Sequence, residues 1–421
     1  MKARETGIGI SLPRLDAAQQ VTGKSRYGAD FSIPGMLHCK IKHPDRVSAR
    51  ILGIDVSRAE AHPGVVAVVT ARDVKHNIYG ITVFDQPYFV TDTVRQYSDC
   101  IAAVAAETQE AAESALSLIR VEYEDLPCLT DPVEAMKDDS FKLHRKSNVA
   151  FYKYIAYGNV EKGFAESELI VEQDFSTPGV EHCPIETHAA VAYVDEITGE
   201  LVVRSSVQKP FELAADLAKM LERPISSIHV SASAIGGGFG GKNEPTMEPA
   251  VALLAIKTGR PVKCEFSRED EFNATTIRHP YRIHYKTGLM KNGVIHARQV
   301  RIVSDCGAYV SWGASTLTKA SIHACGPYNI PNTRVDGYLV YTNNPVGGAM
   351  RGFGVTQLGF AYEAHTDCCA AMLRMNPLHF RKINLIHDGS VLPTAMVMNT
   401  VAVEECLDKA VELARQGGDW E

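Results

Sequence analysis

A chain of 421 residues, 45% hydrophobic and 22% charged, has room for two or three well-buried domains and the make-up of an ordinary globular protein. Its 43 basic and 50 acidic residues leave a net charge of −7, which excludes the basic footprint of a nucleic-acid binder or of a protein held on an anionic membrane surface. The ten cysteines are scattered, with no C-x-x-C pair, so neither an iron–sulfur cluster nor structural zinc is expected in this chain.

The first twenty residues lack the apolar core of a signal peptide, and no window approaches the roughly 18 apolar residues of a membrane span. With unclustered thiols, this predicts a reducing cytoplasm. "CIAAVAAE" (Cys100–Glu107) reads as a buried strand and Thr108–Ile119 as a short helix capped by Thr108. "RVEYEDLP" alternates like a strand and stops at Pro127. The polar stretch "MKDDSFKLHRKSN" is the best connector, dividing an α+β chain into two regions near residue 145.

Strands resume with "ELIVEQDFSTP" and "GELVVRSSVQ", followed by a helix whose Leu213, Leu217 and Leu221 recur every four residues. "SSIHVSASAI" is a strand that runs into a glycine-rich loop. Beyond the loop, "MEPAVALLAIKTG" is an apolar helix ended by Gly259. "SREDEF" (Ser267–Phe272) reads as a solvated turn. Helices follow over about Leu358–Met375, after the Asn376–Pro377 start signal, and over Val403–Arg415.

The loop "AIGGGFGGKNEP" (Ala234–Pro245) packs five glycines into six positions around Phe239. Gly236, Gly238 and Gly241 satisfy the dinucleotide-binding G-x-G-x-x-G, with Glu265 placed like a ribose-binding acid. Gly236, Gly241 and Lys242 nearly satisfy a phosphate-binding P-loop, but Asn243 stands where a Ser or Thr would hold magnesium. A structural turn, or another ligand brought against bare backbone N–H groups, fits the same residues. A second loop, "NNPVGGAMRGFGVTQ" (Asn343–Gln357), again sets glycines beside one arginine, Arg351, and one aromatic, Phe353. Neither nucleotide reading needs it, whereas a bulky cofactor clamped between two glycine loops does.

"IGGGFGGK" with "AMRGFG", in this order and spacing, resembles the molybdenum hydroxylase family, which includes xanthine dehydrogenase and aldehyde oxidoreductase. "VTGKSRYGADFSIPGMLHCKI", "HPGVVAVVTARDV", "TIRHPYRIHYKTG" and "NPLHFRKINLI" extend the similarity along essentially the whole chain. The resemblance implies an N-terminal α/β hammerhead domain over residues 1–135, a connector over 136–160, and the first half of a molybdopterin-binding domain over 161–421. It places Gln208 beside the metal's apical ligand, where an amide hydrogen-bonds while staying neutral. Phe239, between Gly238 and Gly240, would contact the pyranopterin through its backbone, and Arg351 would line the metal site. Phe353 would stack on a flat substrate.

Departures narrow the chemistry. Purine-oxidising members carry a glutamate where this chain has Asn243, with Glu244 one residue out of register, and an arginine where it has Lys319. Carbon monoxide dehydrogenases need a copper-binding cysteine where it has Met350. A small aromatic heterocycle or an aldehyde remains, and Lys319 with His323 would set positive charge opposite a carboxylate, as in nicotinate, which such an enzyme converts to 6-hydroxynicotinate. The alternatives are an aldehyde oxidoreductase, a hydroxybenzoyl-CoA reductase-type subunit, or a non-catalytic scaffold that kept the fold.

Family enzymes continue beyond "VEECLDKAVELARQ". The expectation is that a second molybdopterin subunit supplies the other half of the domain and the general-base glutamate, and that separate subunits carry iron–sulfur clusters and FAD. The cofactor is expected in its cytosine dinucleotide form, its molybdenum bearing a sulfido or selenido ligand, with no direct metal ligand from this chain. His182, Glu186 and His188 have ligand-like spacing but read as a structural cluster.

Overall fold

The computed structural model describes residues 9–144 and 146–418. The alanine-rich run seen in the sequence becomes strand Ala102–Ala106, buried at every position because small side chains let sheet neighbours and helices close on both faces. Helix Gln109–Leu116 follows at once, its first turn capped by Thr108, whose hydroxyl accepts from the Ala111 N–H. Strand Arg120–Asp125 pairs with Ala49–Asp55 in a small three-stranded sheet.

Ala102–Ala106 belongs to a seven-stranded sheet that draws on both regions of the chain. Its spatial order is Ile228–Ala232, Leu201–Ser205, Ala189–Val194, Val262–Glu265, Leu37–Lys42, Ala102–Ala106, Val65–Thr70. The seam is a parallel pairing of Leu37, His38 and Cys39 with Val262, Lys263 and Cys264. Leu37, Cys39, Val262 and Cys264 are all buried there, which sets the register: a slip of one residue would turn them to the other face. Helices Pro210–Leu221 and Glu248–Thr258 supply apolar side chains to this core, the first through Leu213, Leu217 and Leu221 as their spacing predicts. Glu248–Thr258 stops where Gly259 takes a left-handed φ of 63°.

A five-stranded sheet, in the order Leu169–Thr177, Tyr281–Leu289, Ile295–Gly307, Asn332–Tyr341, Val149–Tyr157, carries the second core. Helix Gly313–Ile322 connects and packs on the parallel pair Ile295–Gly307 and Asn332–Tyr341. Two local expectations change. Within residues 136–160, read as a connector, Val149–Tyr157 is a nine-residue strand paired with Thr333–Val340; its Tyr152 packs on Tyr338 with ring centroids 5.0 Å apart, an aromatic pairing the polar flanks conceal. The charged run Ser267–Phe272 is no solvated turn. It opens helix Arg268–Ala274 with a capping box between Ser267 and Asp270, and Glu271 is wholly buried.

Toward the C-terminal end of the described residues stand helices Val355–Met372, Pro377–Asn384 and Val403–Gln416. The first begins three residues before the expected Leu358, straight after Gly354. Asn376 caps the second through bonds from the Leu378 and His379 N–H groups.

Candidate active site

The two glycine loops meet. The first leaves the edge strand Ile228–Ala232, and the second leaves Asn332–Tyr341 of the other sheet. The Arg351 N–H donates to the Phe239 carbonyl at 2.8 Å, joining them directly. Both aromatic residues hold the left-handed backbone that side chains avoid, Phe239 at φ 52° and Phe353 at φ 51°. Such strain, about 1–3 kcal/mol per residue, persists only where surroundings over-determine it, and it gathers at functional sites.

The glycines answer to protein neighbours. A Cβ on Gly238 would lie 2.5 Å from Oε1 of Gln208, and one on Gly240 would lie 2.3 Å from the Ala349 carbonyl of the second loop. Close approach at 238 and 240 is thus already required within the chain, beside the cofactor approach that the resemblance implies.

Gln208 is fixed by two donors. Its Oε1 accepts from the Gly240 N–H at 3.0 Å and the Lys242 N–H at 3.3 Å, while its own backbone N–H donates to the Lys242 carbonyl at 2.7 Å. Two N–H groups aimed at one atom make that atom the oxygen, so the NH₂ end is left free of the loop. It has no partner among the described residues. The residue is exposed, where the family role anticipates a buried amide, because none of the described residues covers it.

Lys242, the nominal P-loop lysine, is buried and spoken for. Its Nζ donates to the Glu186 carbonyl at 2.9 Å, to Glu186 Oε2 at 2.9 Å and to the Thr187 carbonyl at 3.4 Å. No ammonium is left for a phosphate. The helix after the loop starts at Glu248, well past Gly241, so the tight strand–turn–helix of a dinucleotide fingerprint is missing too. Both nucleotide readings fall on these facts.

Residues 182, 186 and 188 disperse to separate partners. His182 Nε2 meets the Ala349 carbonyl at 2.7 Å, and His188 Nδ1 meets Glu271 Oε1 at 2.8 Å. Glu186 also accepts from the Gly28 and Gly236 N–H groups. The contacts of His182 and Glu186 brace the glycine loops. Glu244 turns inward, takes a hydrogen bond from Ser311, and is pushed by burial to a pKa of about 7. Asn243 is half-buried and has no side-chain partner among the described residues.

Phe353 lies in the second loop, two residues beyond Arg351. Lys319 Nζ lies 5.9 Å from its ring centroid and makes no ion pair with any described residue. His323, one helical turn on, ends helix Gly313–Ile322; burial and the Lys319 charge hold its pKa below the usual histidine value. Sequence reasoning missed Trp312, whose ring stands 5.9 Å from Phe353 at 68°, and Lys209, 4.4 Å from the Trp312 centroid. It also missed Arg278, which donates to the Arg351 carbonyl at 2.8 Å. The adjacency of Lys209 to Gln208 was the one signal available.

Residues 141–385 match the family model of the molybdopterin cofactor-binding domain, and residues 22–127 match the a/b hammerhead domain of aldehyde oxidase and xanthine dehydrogenase. The chain belongs to the molybdenum hydroxylase family. It is 38% identical to the nicotinate dehydrogenase large molybdopterin subunit of Eubacterium barkeri, over 97% of this chain and 96% of that one. It is 39% identical to a probable xanthine dehydrogenase component of Bacillus subtilis, over 95% of this chain but 55% of the relative. Among solved structures, the aldehyde oxidoreductase of Desulfovibrio gigas superposes with a TM-score of 0.92 at 31% identity, covering 96% of this chain and 46% of that one. The chain thus spans almost all of the first relative and about half of the other two.

The members it resembles are oxidoreductases, and the chain carries their molybdopterin-binding fold. The groups left free fit such a cofactor. The Gln208 NH₂ group, the exposed Phe239 ring and the Arg351 guanidinium all belong to the junction where the loops meet, and the Arg351 guanidinium has no hydrogen-bonding partner among the described residues. No described helix is long and apolar enough to cross a membrane.

Proposed function

We propose that this chain is the molybdopterin subunit of a hydroxylase that inserts water-derived oxygen into an N-heteroaromatic acid, converting nicotinate to 6-hydroxynicotinate. One observation carries the reading: an unpaired ammonium, Lys319, beside the half-buried ring of Phe353. A flat ring bearing a carboxylate matches that pair in shape and charge, whereas purine recognition calls for the carboxylate that Asn243 lacks. The likeness to a nicotinate dehydrogenase subunit over nearly its full length supports the same substrate class.

When bound, the molybdenum cofactor supplies the two-electron oxidation of the substrate. This chain's residues orient and hold. Gln208 offers its NH₂ protons toward the cofactor, and Arg351 and Phe239 fix the loop junction against it. Phe353 seats the ring, while Lys319, His323 and Asn243 face its polar edge. Glu186 and Glu244 are both occupied in holding the loop, so the general base comes from elsewhere. A second molybdopterin subunit fits that need, covering Gln208, with iron–sulfur and FAD subunits receiving the electrons. The cytosine dinucleotide form of the cofactor and a sulfido or selenido ligand complete the proposal. The ten unpaired thiols suit a reducing cytoplasm.

The test is the complex that copurifies with this chain from its native host. Molybdenum near one per chain with excess iron, and turnover of nicotinate ahead of xanthine, aldehydes and aryl-CoA esters, is the expected result. Faster turnover of xanthine or of an aldehyde would overturn the substrate assignment, and an intact complex without molybdenum would leave a scaffold.

A further inference from the structure

Building on the reading of Phe353 as the substrate platform, we infer that Lys209 and Trp312 form, with Lys319, a second anchoring subsite for an aromatic carboxylate. Lys209 directly follows Gln208, whose oxygen is tied to the Gly240 N–H, so its backbone is pinned to the first glycine loop. Its Nζ lies 4.4 Å from the Trp312 ring centroid. Trp312 stands edge-on to Phe353, and Lys319 lies 5.9 Å from the Phe353 centroid. The four side chains make a chain of contacts: an ammonium, two aromatic rings meeting at a corner, a second ammonium.

The charges in this chain of contacts are not spent internally. Lys319 has no carboxylate partner among the described residues. Lys209 has one, Glu212 at 3.2 Å, and that carboxylate is 59% exposed, so the pair is a screened surface contact that an incoming anion can exchange into. The Lys209 side chain itself is only 31% exposed, held down on the indole. A half-sheltered ammonium over an aromatic face binds an anion more strongly than a freely solvated lysine, because less water must be displaced and less side-chain entropy is lost. Trp312 is the positioning member: its ring sets where Lys209 rests and walls the Phe353 platform. The ligand class follows as a planar ring with a carboxylate on its rim.

The experiment uses the native multi-subunit complex carrying K209M, K209R, W312L or K319M, each assayed on nicotinate and on nicotinamide, which has the same ring and no charge. K209M should raise KM for nicotinate about tenfold, as for loss of a charge-assisted contact. KM for nicotinamide should not change, and kcat should stay within about twofold. K209R should restore the nicotinate KM, and high salt should narrow the gap between K209M and wild type. Equal losses on both substrates, or no effect of K209M where K319M raises KM, would overturn the subsite. Calorimetric titration with nicotinate separates this inference from the proposed reaction. If the wild-type complex hydroxylates neither compound, the reaction assignment fails, yet binding that weakens in K209M upholds the subsite. Equal binding by wild type and K209M, or none by either, ends it.

Discussion

Arg351 donates its backbone N–H to the carbonyl of Phe239 at 2.8 Å, so the aromatic of one glycine loop and the arginine of the other form a single unit. Gly240 lies just beside this bond, at φ 109°, and a Cβ there would meet the Ala349 carbonyl oxygen at 2.3 Å and its carbon at 2.7 Å. Neither contact is with a flexible side-chain end, so backbone must move. G240A should lower stability by about 2–4 kcal/mol through clash and left-handed strain together. The urea midpoint checks the stability, and the molybdenum content of the purified complex checks the junction, which should be lost with it. An unchanged midpoint would mean that the loops tolerate separation.

Lys242 is the bolt behind the same junction. Its ammonium is wholly buried on Glu186 and two carbonyls. K242M removes the cation and leaves the Glu186 carboxylate nearly buried, with the Gly28 and Gly236 N–H groups its remaining partners. Breaking one side of a buried pair typically destabilises by about 3–5 kcal/mol. Thermal melts of K242M, E186Q and the double variant test this. The double variant should recover part of the loss, and a K242M change below about 1 kcal/mol would place the pair among contacts that do nothing.

Much of this frame was legible in the residues. The Leu213–Leu217–Leu221 spacing, the Gly259 stop and the Thr108 and Asn376 caps act through neighbours a few positions away, and each appears as read. The two loops stood out through their glycines and aromatics, and the Arg351–Phe239 bond joins them. What stayed hidden depends on contacts across long stretches of chain. Val149–Tyr157 becomes a strand because Asn332–Tyr341 offers it an edge, and Leu37–Cys39 joins a sheet with Val262–Cys264. Trp312 and Lys209 lie far apart in the sequence and meet only once both sheets are built. Lys242 showed its charge but not its partner, and so imitated a phosphate-binding lysine.

Gln208 offers a clean separation of chemistry from folding. Its oxygen serves the Gly240 and Lys242 N–H groups, while its NH₂ is the free end. Q208E keeps an acceptor for both N–H groups and loses the outward donor. The expected outcome is a kcat lower by about 10–100-fold in the native complex, with molybdenum content and urea midpoint close to wild type. A matching loss of molybdenum would assign the Gln208 NH₂ to retaining the cofactor rather than to the chemical step.

Glu244 gives the chain a pH signature. Its carboxyl is buried with one bond from Ser311, and burial raises its pKa from 4.5 to about 7, with Asp85 and Asp216 adding to the rise. Between those values the folded chain keeps a proton that the unfolded chain has released. Stability therefore falls as pH climbs from about 4.5 to about 7, and stays lowered above it. A shift of that size corresponds to about 3 kcal/mol. E244Q is neutral at every pH and keeps an oxygen for Ser311, so it should melt higher than wild type at about pH 8, with the gain shrinking through about pH 6 and vanishing near pH 4.5. Melting curves of the two proteins across that range decide it. A gain that does not depend on pH would mean that the glutamine packs better for reasons unrelated to charge, and a loss at the alkaline end would mean that the ionised carboxylate has a buried cationic partner.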